Sequence, residues 1–328
     1  MQSDFLRYKS SDAACAPEID RIAGKVADLA SRQKPLEQCT PEEARELRES
    51  RGNPFAPDAV ALKGIDDVYI PLPSGPMLAR IYRPLTEAES YQPALVYFHG
   101  GGFVLGSVAG HDTLTRLLAR NSGCTVISVE YRLAPECKSG DTIAEAFEAF
   151  CWLRAHATGL GLDARRFAIG GDSAGGNLAI SVILTCLRQE QPLPCYQLLF
   201  YPITDWRLRT ASIDEFATGF FLTRAGMHWF RAHYLETESL AEDPLRSPLL
   251  ADEIDSLPPG LVITAGFDPL RDEGKAYADS LRAVGIAVEH LCYQDVIHAF
   301  ISFAGGIEQG MDALHEAGRH LRTALAPV

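Results

Sequence analysis

A serine between small residues is the first feature of this chain that could do chemistry. Residues 171–175 read Gly-Asp-Ser-Ala-Gly, with the serine at Ser173. Apolar residues 167–169 precede this segment, and the helix-forming residues 178–184 follow it. A sharp turn from a strand into a helix lifts a serine hydroxyl above the end of a sheet and requires small neighbours. We therefore expect Ser173 to be a nucleophile, although an ordinary tight turn could have the same composition.

A run of glycines upstream could serve the same reaction. Residues 99–103 read His-Gly-Gly-Gly-Phe and directly follow a predicted strand over 94–98. Consecutive glycines let backbone N–H groups approach a ligand, and such donors stabilise the oxyanion that forms when a nucleophile adds to a carbonyl. A phosphate-binding loop is an alternative, but no Walker-type lysine follows. A merely flexible turn is another, and the downstream serine favours the oxyanion loop.

A serine hydroxyl also needs a base, and that base needs a carboxylate to orient it. Asp268 lies at the carboxyl end of a predicted strand over 261–265, where ligands gather in open α/β sheets. His298 lies in the loop between a predicted strand over 288–293 and the last helix. We expect these two side chains to meet Ser173.

Four other acids are weaker candidates for the orienting carboxylate. Asp272 and Glu273 fall in the first turn of a predicted helix, where acids interact with the helix dipole. Asp295 would have to reach back to His298 within one short loop. Asp172 directly precedes the serine, so we expect its side chain to point away and support the turn.

The remaining histidines and the cysteines do not indicate a metal site. His290 falls inside a predicted strand and is expected to be structural, while the spacing of His315 and His320 separates them widely around a helix. The eight cysteines include no Cys-x-x-Cys pair, which favours reduced, buried thiols. We expect neither a metal nor an organic cofactor.

Charge and hydropathy exclude two classes of partner. The chain of 328 residues has 30 Lys and Arg against 43 Asp and Glu, a net charge of −13, so no basic face is available for nucleic acid. The longest apolar helical stretch, residues 178–187, is too short to span a bilayer. Without a secretory signal at the N-terminus, we expect no stable membrane insertion and a cytoplasmic location.

The elements that must position these residues alternate along most of the chain. Eight short β-branched or aromatic runs read as strands, and helix-length segments separate the later ones. This pattern predicts an α/β fold with a mostly parallel, eight-stranded sheet flanked by helices. The first two strands have no helix between them and predict an antiparallel hairpin at an edge. The predicted strands cover residues 68–72, 78–82, 94–98, 125–131, 167–170, 197–201, 261–265 and 288–293.

Two regions break the alternation. Residues 1–55 read as helices, one over 17–31 and one after the cap at Thr40. Residues 204–257 hold many aromatic side chains and one capped helix that begins near Thr223. Within that region Phe220, Phe221 and Trp229 are candidates to line a pocket, with ordinary packing as the alternative.

Taken together, these residues resemble the hormone-sensitive-lipase-like esterases (bacterial family IV) of the α/β-hydrolase superfamily. The resemblance runs from about residue 60 to the C-terminus, and further matches are Tyr-Arg-Leu-Ala-Pro-Glu at 131–136, Tyr201-Pro202 with Asp205, and 268–274. It implies an α/β-hydrolase domain over 56–328, with a helical cap formed by 1–55 and an insert at 205–237. The segment 137–140, Cys-Lys-Ser-Gly, departs from the proline-rich stretch that the family often has there.

The resemblance also implies roles for residues. Ser173 would be the nucleophile, His298 the general base and acid, and Asp268 its partner, with the backbone N–H groups of Gly101, Gly102 and Ala174 as the oxyanion hole.

The implied activity is a serine carboxylesterase. It would hydrolyse short- to medium-chain acyl esters through an acyl-enzyme, with a small-molecule ester as partner and a homodimer left open. An amidase, deacetylase or lactonase could use the same residues. A non-catalytic receptor on this fold should lack one of the three side chains, and all three are present.

Overall fold

One mixed sheet of nine strands runs through the described part of the chain. The structure is a computed structural model, which describes residues 7–9, 18–86 and 91–327. Along the sheet the strands follow the order β1-β9-β8-β7-β6-β4-β5-β3-β2. Their bounds are Arg7–Lys9 (β1), Gly64–Leu72 (β2), Gly75–Arg83 (β3), Gln92–Phe98 (β4), Thr125–Val129 (β5), Leu162–Asp172 (β6), Tyr196–Phe200 (β7), Gly260–Phe267 (β8) and Val288–Ile297 (β9).

The pairing confirms the predicted sheet. Strands β4 to β9 are parallel to their neighbours among themselves, while β2 and β3 form an antiparallel hairpin at one edge. All eight predicted strands are present. A ninth, β1, pairs antiparallel with β9 at the other edge, and its three residues are too few to show an alternating pattern.

Nine α-helices accompany the sheet in the described residues. The predicted helix over 17–31 begins at Arg21, capped by the Asp20 carboxylate, and Pro17 lies outside the described residues. The next begins after a capping box at Thr40. The bounds are Arg21–Ser31 (α1), Pro41–Arg51 (α2), Asp112–Ser122 (α3), Ser139–Ala155 (α4), Ala174–Arg188 (α5), Ala211–Glu215 (α6), Arg224–Tyr234 (α7), Arg271–Ala283 (α8) and Glu308–Ala324 (α9).

Two apolar cores lie on opposite faces of the sheet. One is formed with α4, α5, α7 and α8, and α2 contributes Ala44 to it. The other is formed with α1, α3 and α9. The two N-terminal helices therefore pack in different layers. The seven cysteines in the described residues form no disulfide with one another.

The segment that precedes helix α2 packs against α7. The indole Nε1 of Trp229 donates to the Cys39 carbonyl at 3.2 Å, and Leu36 lies against Gly226. The segment 137–140 contacts the residues that follow α7, because the Gly140 N–H donates to the Glu236 carboxylate at 2.8 Å. None of the helices in the described residues has the length and apolar character needed to cross a membrane.

Candidate active site

The turn between β6 and α5 places Ser173 at the end of the sheet. Ser173 has φ +54° and ψ −115°, a strained conformation for a residue with a side chain. A Cβ at Gly171 would lie 2.4 Å from the Phe98 carbonyl oxygen, and one at Gly175 only 1.9 Å from it. Only glycine fits at these two positions, which explains the small residues on either side of the serine.

Three side chains from distant parts of the sequence meet at this turn. His298 Nε2 lies 3.0 Å from Ser173 Oγ, and His298 Nδ1 lies 2.7 Å from Asp268 Oδ2. Asp268 is fully buried at the end of β8, while His298 follows β9. This is the geometry in which an imidazole takes a proton from a serine hydroxyl while a carboxylate fixes its tautomer.

Two neighbours hold these side chains in place. The Leu270 N–H donates to Asp268 Oδ1 at 2.8 Å, which leaves Oδ2 directed at the histidine. The Tyr201 ring lies with its centre 4.7 Å from that of the His298 ring. The Asp268 carboxylate is therefore fixed by its own turn, and the His298 imidazole is supported by the end of β7.

The glycine run lies beside the serine turn. The Gly101 carbonyl accepts hydrogen bonds from Val104 N at 3.1 Å and Leu105 N at 2.8 Å, which closes a tight turn. Gly101 and Gly102 have φ of +131° and +62°. Among the described residues, their N–H groups have no hydrogen-bond partner. Ala174 is the first residue of α5, so its N–H is also one that the helix leaves without an internal acceptor.

Close packing surrounds each glycine of this loop. An added Cβ would lie 2.2 Å from Asp172 Oδ2 at Gly100, 2.1 Å from the Leu105 carbonyl oxygen at Gly101, and 2.2 Å from the Phe230 ring at Gly102. The three contacts come from β6, from the loop itself and from α7. Side chains larger than hydrogen would thus displace the loop.

Asp172 supports this glycine loop, not the turn it was expected to support. Its Oδ1 accepts hydrogen bonds from the Gly100 N–H and the Tyr97 hydroxyl, each at 2.8 Å. Burial acts to raise the pKa of Asp172, but His111 and Tyr97 outweigh it, so the pKa is lower than usual. Sequence adjacency to Ser173 suggested a local role, whereas the carboxylate reaches across to the neighbouring strand end.

The three other acids are engaged elsewhere. Asp272 Oδ2 accepts from Ser212 N at 2.9 Å, and Asp295 Oδ2 accepts from Gln309 Nε2 at 2.6 Å. Glu273 Oε1 accepts from Thr204 N at 2.7 Å, and burial raises the pKa of this glutamate well above its usual value.

Two of the histidines outside the site have other partners. His290 Nε2 lies 2.8 Å from the Thr264 hydroxyl, and burial lowers the pKa of His290 to about 4. His320 Nδ1 lies 3.1 Å from the Tyr196 hydroxyl. No cluster of three or more His, Cys, Asp or Glu with metal-binding geometry occurs in the described residues.

Sequence reasoning did not find Arg45, which ties α2 to the glycine loop. Its guanidinium donates to the carbonyls of Val104 at 2.9 Å and Ala134 at 2.7 Å and forms a bidentate pair with Glu136. This pairing lowers the pKa of Glu136 to about 2. The only signal in the sequence was an arginine on the apolar face of a predicted helix.

The three candidate pocket residues have different surroundings. Phe220 stacks on Phe267, which directly precedes Asp268, at 5.3 Å between ring centres. Phe221 packs edge-on against Phe303 in the loop after His298, at 5.4 Å. Trp229 is buried and joins α7 to the N-terminal segment, as described above. The residue that lies against Gly102 is Phe230, which sequence reasoning did not single out.

Comparison with known proteins gives consistent matches over most of the chain. Residues 95–302 match a family model described as alpha/beta hydrolase fold. The carboxylic ester hydrolase LipN of Mycobacterium tuberculosis is 41% identical over 265 residues, which cover 78% of this chain and 70% of that protein. An ethyl acetate hydrolase of Pseudomonas putida is 35% identical over 300 residues, which cover 90% of this chain and 92% of that protein.

Solved structures agree with these matches. The structure of an ester hydrolase from the metagenome of Lake Arreo, in complex with a derivative of bipyridine phosphonate, has a TM-score of 0.90 to this chain at 37% identity. The match covers 94% of this chain and 100% of that one. A thermostable esterase from Pseudomonas putida has a TM-score of 0.88 at 33% identity and covers 96% of this chain and 100% of its own.

Proposed function

This chain belongs to the α/β-hydrolase family, among the hormone-sensitive-lipase-like esterases, and is a carboxylic ester hydrolase, and from that premise we propose that Ser173, His298 and Asp268 carry its reaction. The single observation on which the proposal rests is the continuous chain of hydrogen bonds from the serine hydroxyl through the imidazole to the buried carboxylate. Its distances are 3.0 and 2.7 Å.

In the first half of the reaction, Ser173 Oγ attacks the ester carbonyl carbon while its proton passes to His298 Nε2. The Asp268 carboxylate accepts the Nδ1–H and stabilises the imidazolium that forms. When the tetrahedral intermediate collapses, the bond to the alkoxy group breaks, and that group leaves as the alcohol with the proton from Nε2. The acyl group remains on Ser173 Oγ as an ester.

In the second half, water takes the place of the alcohol. His298 Nε2 accepts a proton from the water, whose oxygen attacks the acyl carbon and forms a second tetrahedral intermediate. The bond to Ser173 Oγ then breaks, the serine recovers its proton from the histidine, and the carboxylic acid is released. These reaction steps need no proton donor or acceptor besides the residues named and water.

The N–H groups of Gly101, Gly102 and Ala174 would donate hydrogen bonds to the oxyanion of both intermediates. Two observations support this: the two glycine N–H groups have no hydrogen-bond acceptor among the described residues, and Ala174 lies at the start of α5. Preorganised donors of this kind are worth about 2.7–4 kcal/mol each in the transition state. The loop contacts described above would keep the donors fixed while charge develops.

For the substrate we propose short- to medium-chain acyl esters, with residues 1–55 and 205–237 as a cap over a catalytic domain of residues 56–328, except that β1 at residues 7–9 belongs to the sheet and not to the cap. In support, α2 is tied to the glycine loop through Arg45, and Phe230 of α7 packs on Gly102. Phe220 and Phe221 reach the loops that carry Asp268 and His298, where they would face the substrate. One relative is named for ethyl acetate, which agrees with a short acyl group.

The test is turnover of p-nitrophenyl butyrate by Ser173→Ala. We expect a loss on the order of 10⁶-fold in kcat, by analogy with serine proteases. Ser256→Ala, at an exposed position, is the matched control. A pre-steady-state burst of p-nitrophenol from the wild type would report the acyl-enzyme directly. If Ser173→Ala turned over within tenfold of the wild type, the assignment would be rejected.

A further inference from the structure

Helix α2 and the residues that follow it are attached both to the glycine loop and to the loop after His298. On one side, Arg45 reaches the carbonyls of Val104 and Ala134. On the other, the Asn53 side chain donates to the Ser302 carbonyl at 2.7 Å, and the chain continues along the segment that follows His298. The residues between Arg45 and Asn53 therefore pass over the space between the two loops.

Arg48 lies on the inward face of this helix. Residues three and four apart share a helix face. Ala44 lies four residues before Arg48 and Pro41 three residues before Ala44, and both are buried. Arg45 lies on the same side and makes the loop contacts described above. The helix thus directs Arg48 towards the protein, not away from it.

The surroundings of Arg48 are those of a side chain in a recess. Burial by the surrounding protein lowers the pKa of its guanidinium, the negative charge of the Asp172 carboxylate opposes that effect, and Tyr131 and Tyr201 also lie within electrostatic range. These three groups border the site: Asp172 holds the glycine loop, the Tyr131 hydroxyl donates to the His99 carbonyl at 2.8 Å, and Tyr201 packs on His298. Arg48 nevertheless keeps an exposed surface, so protein surrounds its charge without covering it.

Among the described residues, Arg48 has no hydrogen bond and no ion pair. The other two arginines of α2 differ in this respect, because Arg45 is bound to Glu136 and two carbonyls and Arg51 donates to the Gln33 amide oxygen. A guanidinium stays charged in a protein and offers several donors in a planar fork that matches a carboxylate. An unpaired one beside a reaction centre is therefore a binding group for an anion.

We propose that Arg48 binds a carboxylate carried by the ester substrate, so that the enzyme prefers esters with a free acid group to neutral esters of the same length. The inference rests on the proposed function, since it takes Ser173 as the point of attack. An acidic chain with net charge −13 would otherwise repel such substrates, and Arg48 offers them a local contact.

The carboxylate could belong to either half of the ester, and two substrate series separate these cases. Monoethyl esters of succinate, glutarate and adipate place it in the acyl part, with ethyl butyrate, valerate and hexanoate as neutral partners of equal length. Acetyl esters of ω-hydroxy acids place it in the alcohol part, with acetyl esters of alkanols as partners. Titration of the released acid at constant pH gives kcat and KM for every member.

Arg48→Gln removes the charge, and Arg48→Lys keeps it without the planar fork. For the series that the wild type prefers, we expect the ratio of kcat/KM between anionic and neutral esters to fall by about 10- to 100-fold in Arg48→Gln, mainly through KM. Arg48→Lys should retain part of the ratio. Arg51→Gln removes the same charge from the same helix, at the Gln33 contact, and should leave the ratio unchanged.

Three outcomes would overturn the proposal. The wild type could show no preference for the anionic member of either series, Arg48→Gln could lower both members of a pair equally, or Arg51→Gln could reproduce the effect of Arg48→Gln. Failure of the proposed function gives a different signature, because Ser173→Ala would then keep its turnover of neutral p-nitrophenyl butyrate. A thermal unfolding midpoint for each variant shows whether a loss reflects binding or folding.

Discussion

Replacing Gly102 by alanine tests how the glycine loop is held. With φ at +62°, an alanine at this position costs about 1–2 kcal/mol of backbone strain. The larger problem is the Phe230 ring, only 2.2 Å from the added Cβ, where a normal contact needs about 3.5–4.0 Å. Phe230 is buried and packs against Trp229, so the ring cannot simply rotate into solvent.

We therefore expect the loop to shift by more than an ångström in Gly102→Ala. If that shift removes one oxyanion donor, kcat falls by about 10²–10³-fold, with little change in KM because the lost interaction belongs to the transition state. The assay is steady-state turnover of p-nitrophenyl butyrate, with the unfolding midpoint measured in parallel. Gly285→Ala is the control, since it adds a Cβ at φ +89° with nothing within 4 Å.

The double variant Gly102→Ala/Phe230→Ala makes the reasoning refutable. Removing the ring leaves room for the new methyl group, so kcat should recover at least tenfold relative to Gly102→Ala, although the lost aromatic core costs about 3–5 kcal/mol of stability. The explanation fails if Gly102→Ala keeps kcat within fivefold of the wild type. It also fails if the double variant folds but is no faster than Gly102→Ala.

Three further changes have definite expectations. Gly101→Ala should lose at least as much kcat as Gly102→Ala, because its Cβ meets the backbone carbonyl of Leu105, which no side-chain truncation can remove. Steady-state kinetics would measure this loss, and activity near that of the wild type would contradict the role of the glycine loop. Asp268→Asn should lower kcat by about 10⁴-fold, by analogy with the serine-protease triad, and a loss under tenfold would contradict the role of the carboxylate. Glu273 has a pKa raised by burial, so it binds its proton more tightly in the folded state and stability falls as pH rises from about 4.5 towards the raised pKa. Urea unfolding of Glu273→Gln, in which the Oε1 acceptor for Thr204 is retained, should show a smaller loss of stability over that range, and an unchanged slope would contradict the assignment.

The sheet was predictable because its signals are local. Short apolar β-branched runs separated by amphipathic segments give the order of strands and helices, and parallel pairing then follows from the helical connections. The helix caps at Thr40 and Thr223 were equally visible, and both side chains accept backbone hydrogen bonds at the helix start. Two short elements, β1 and α6, could not be found in this way, because three strand residues or five helix residues do not repeat the pattern often enough to be recognised.

The candidate site was only partly predictable, for a physical reason. Ser173, Asp268 and His298 each follow a strand of the parallel sheet, so the fold alone brings them to one edge. Asp172 illustrates the limit, because its partner Gly100 lies on a neighbouring strand end and no sequence spacing encodes that contact. Contacts such as that of Arg45 with the glycine loop depend on how separate helices are placed.

The glycine loop shows why those contacts matter. Three glycines without side chains cannot anchor themselves by packing, so their conformation depends on neighbours. From the sheet, Asp172 holds the Gly100 N–H, and from helix α2 Arg45 holds the Val104 carbonyl. Phe230 closes the space above Gly102. A motif of small residues can thus specify where donors are permitted, but the charged and aromatic residues around it determine where the donors point.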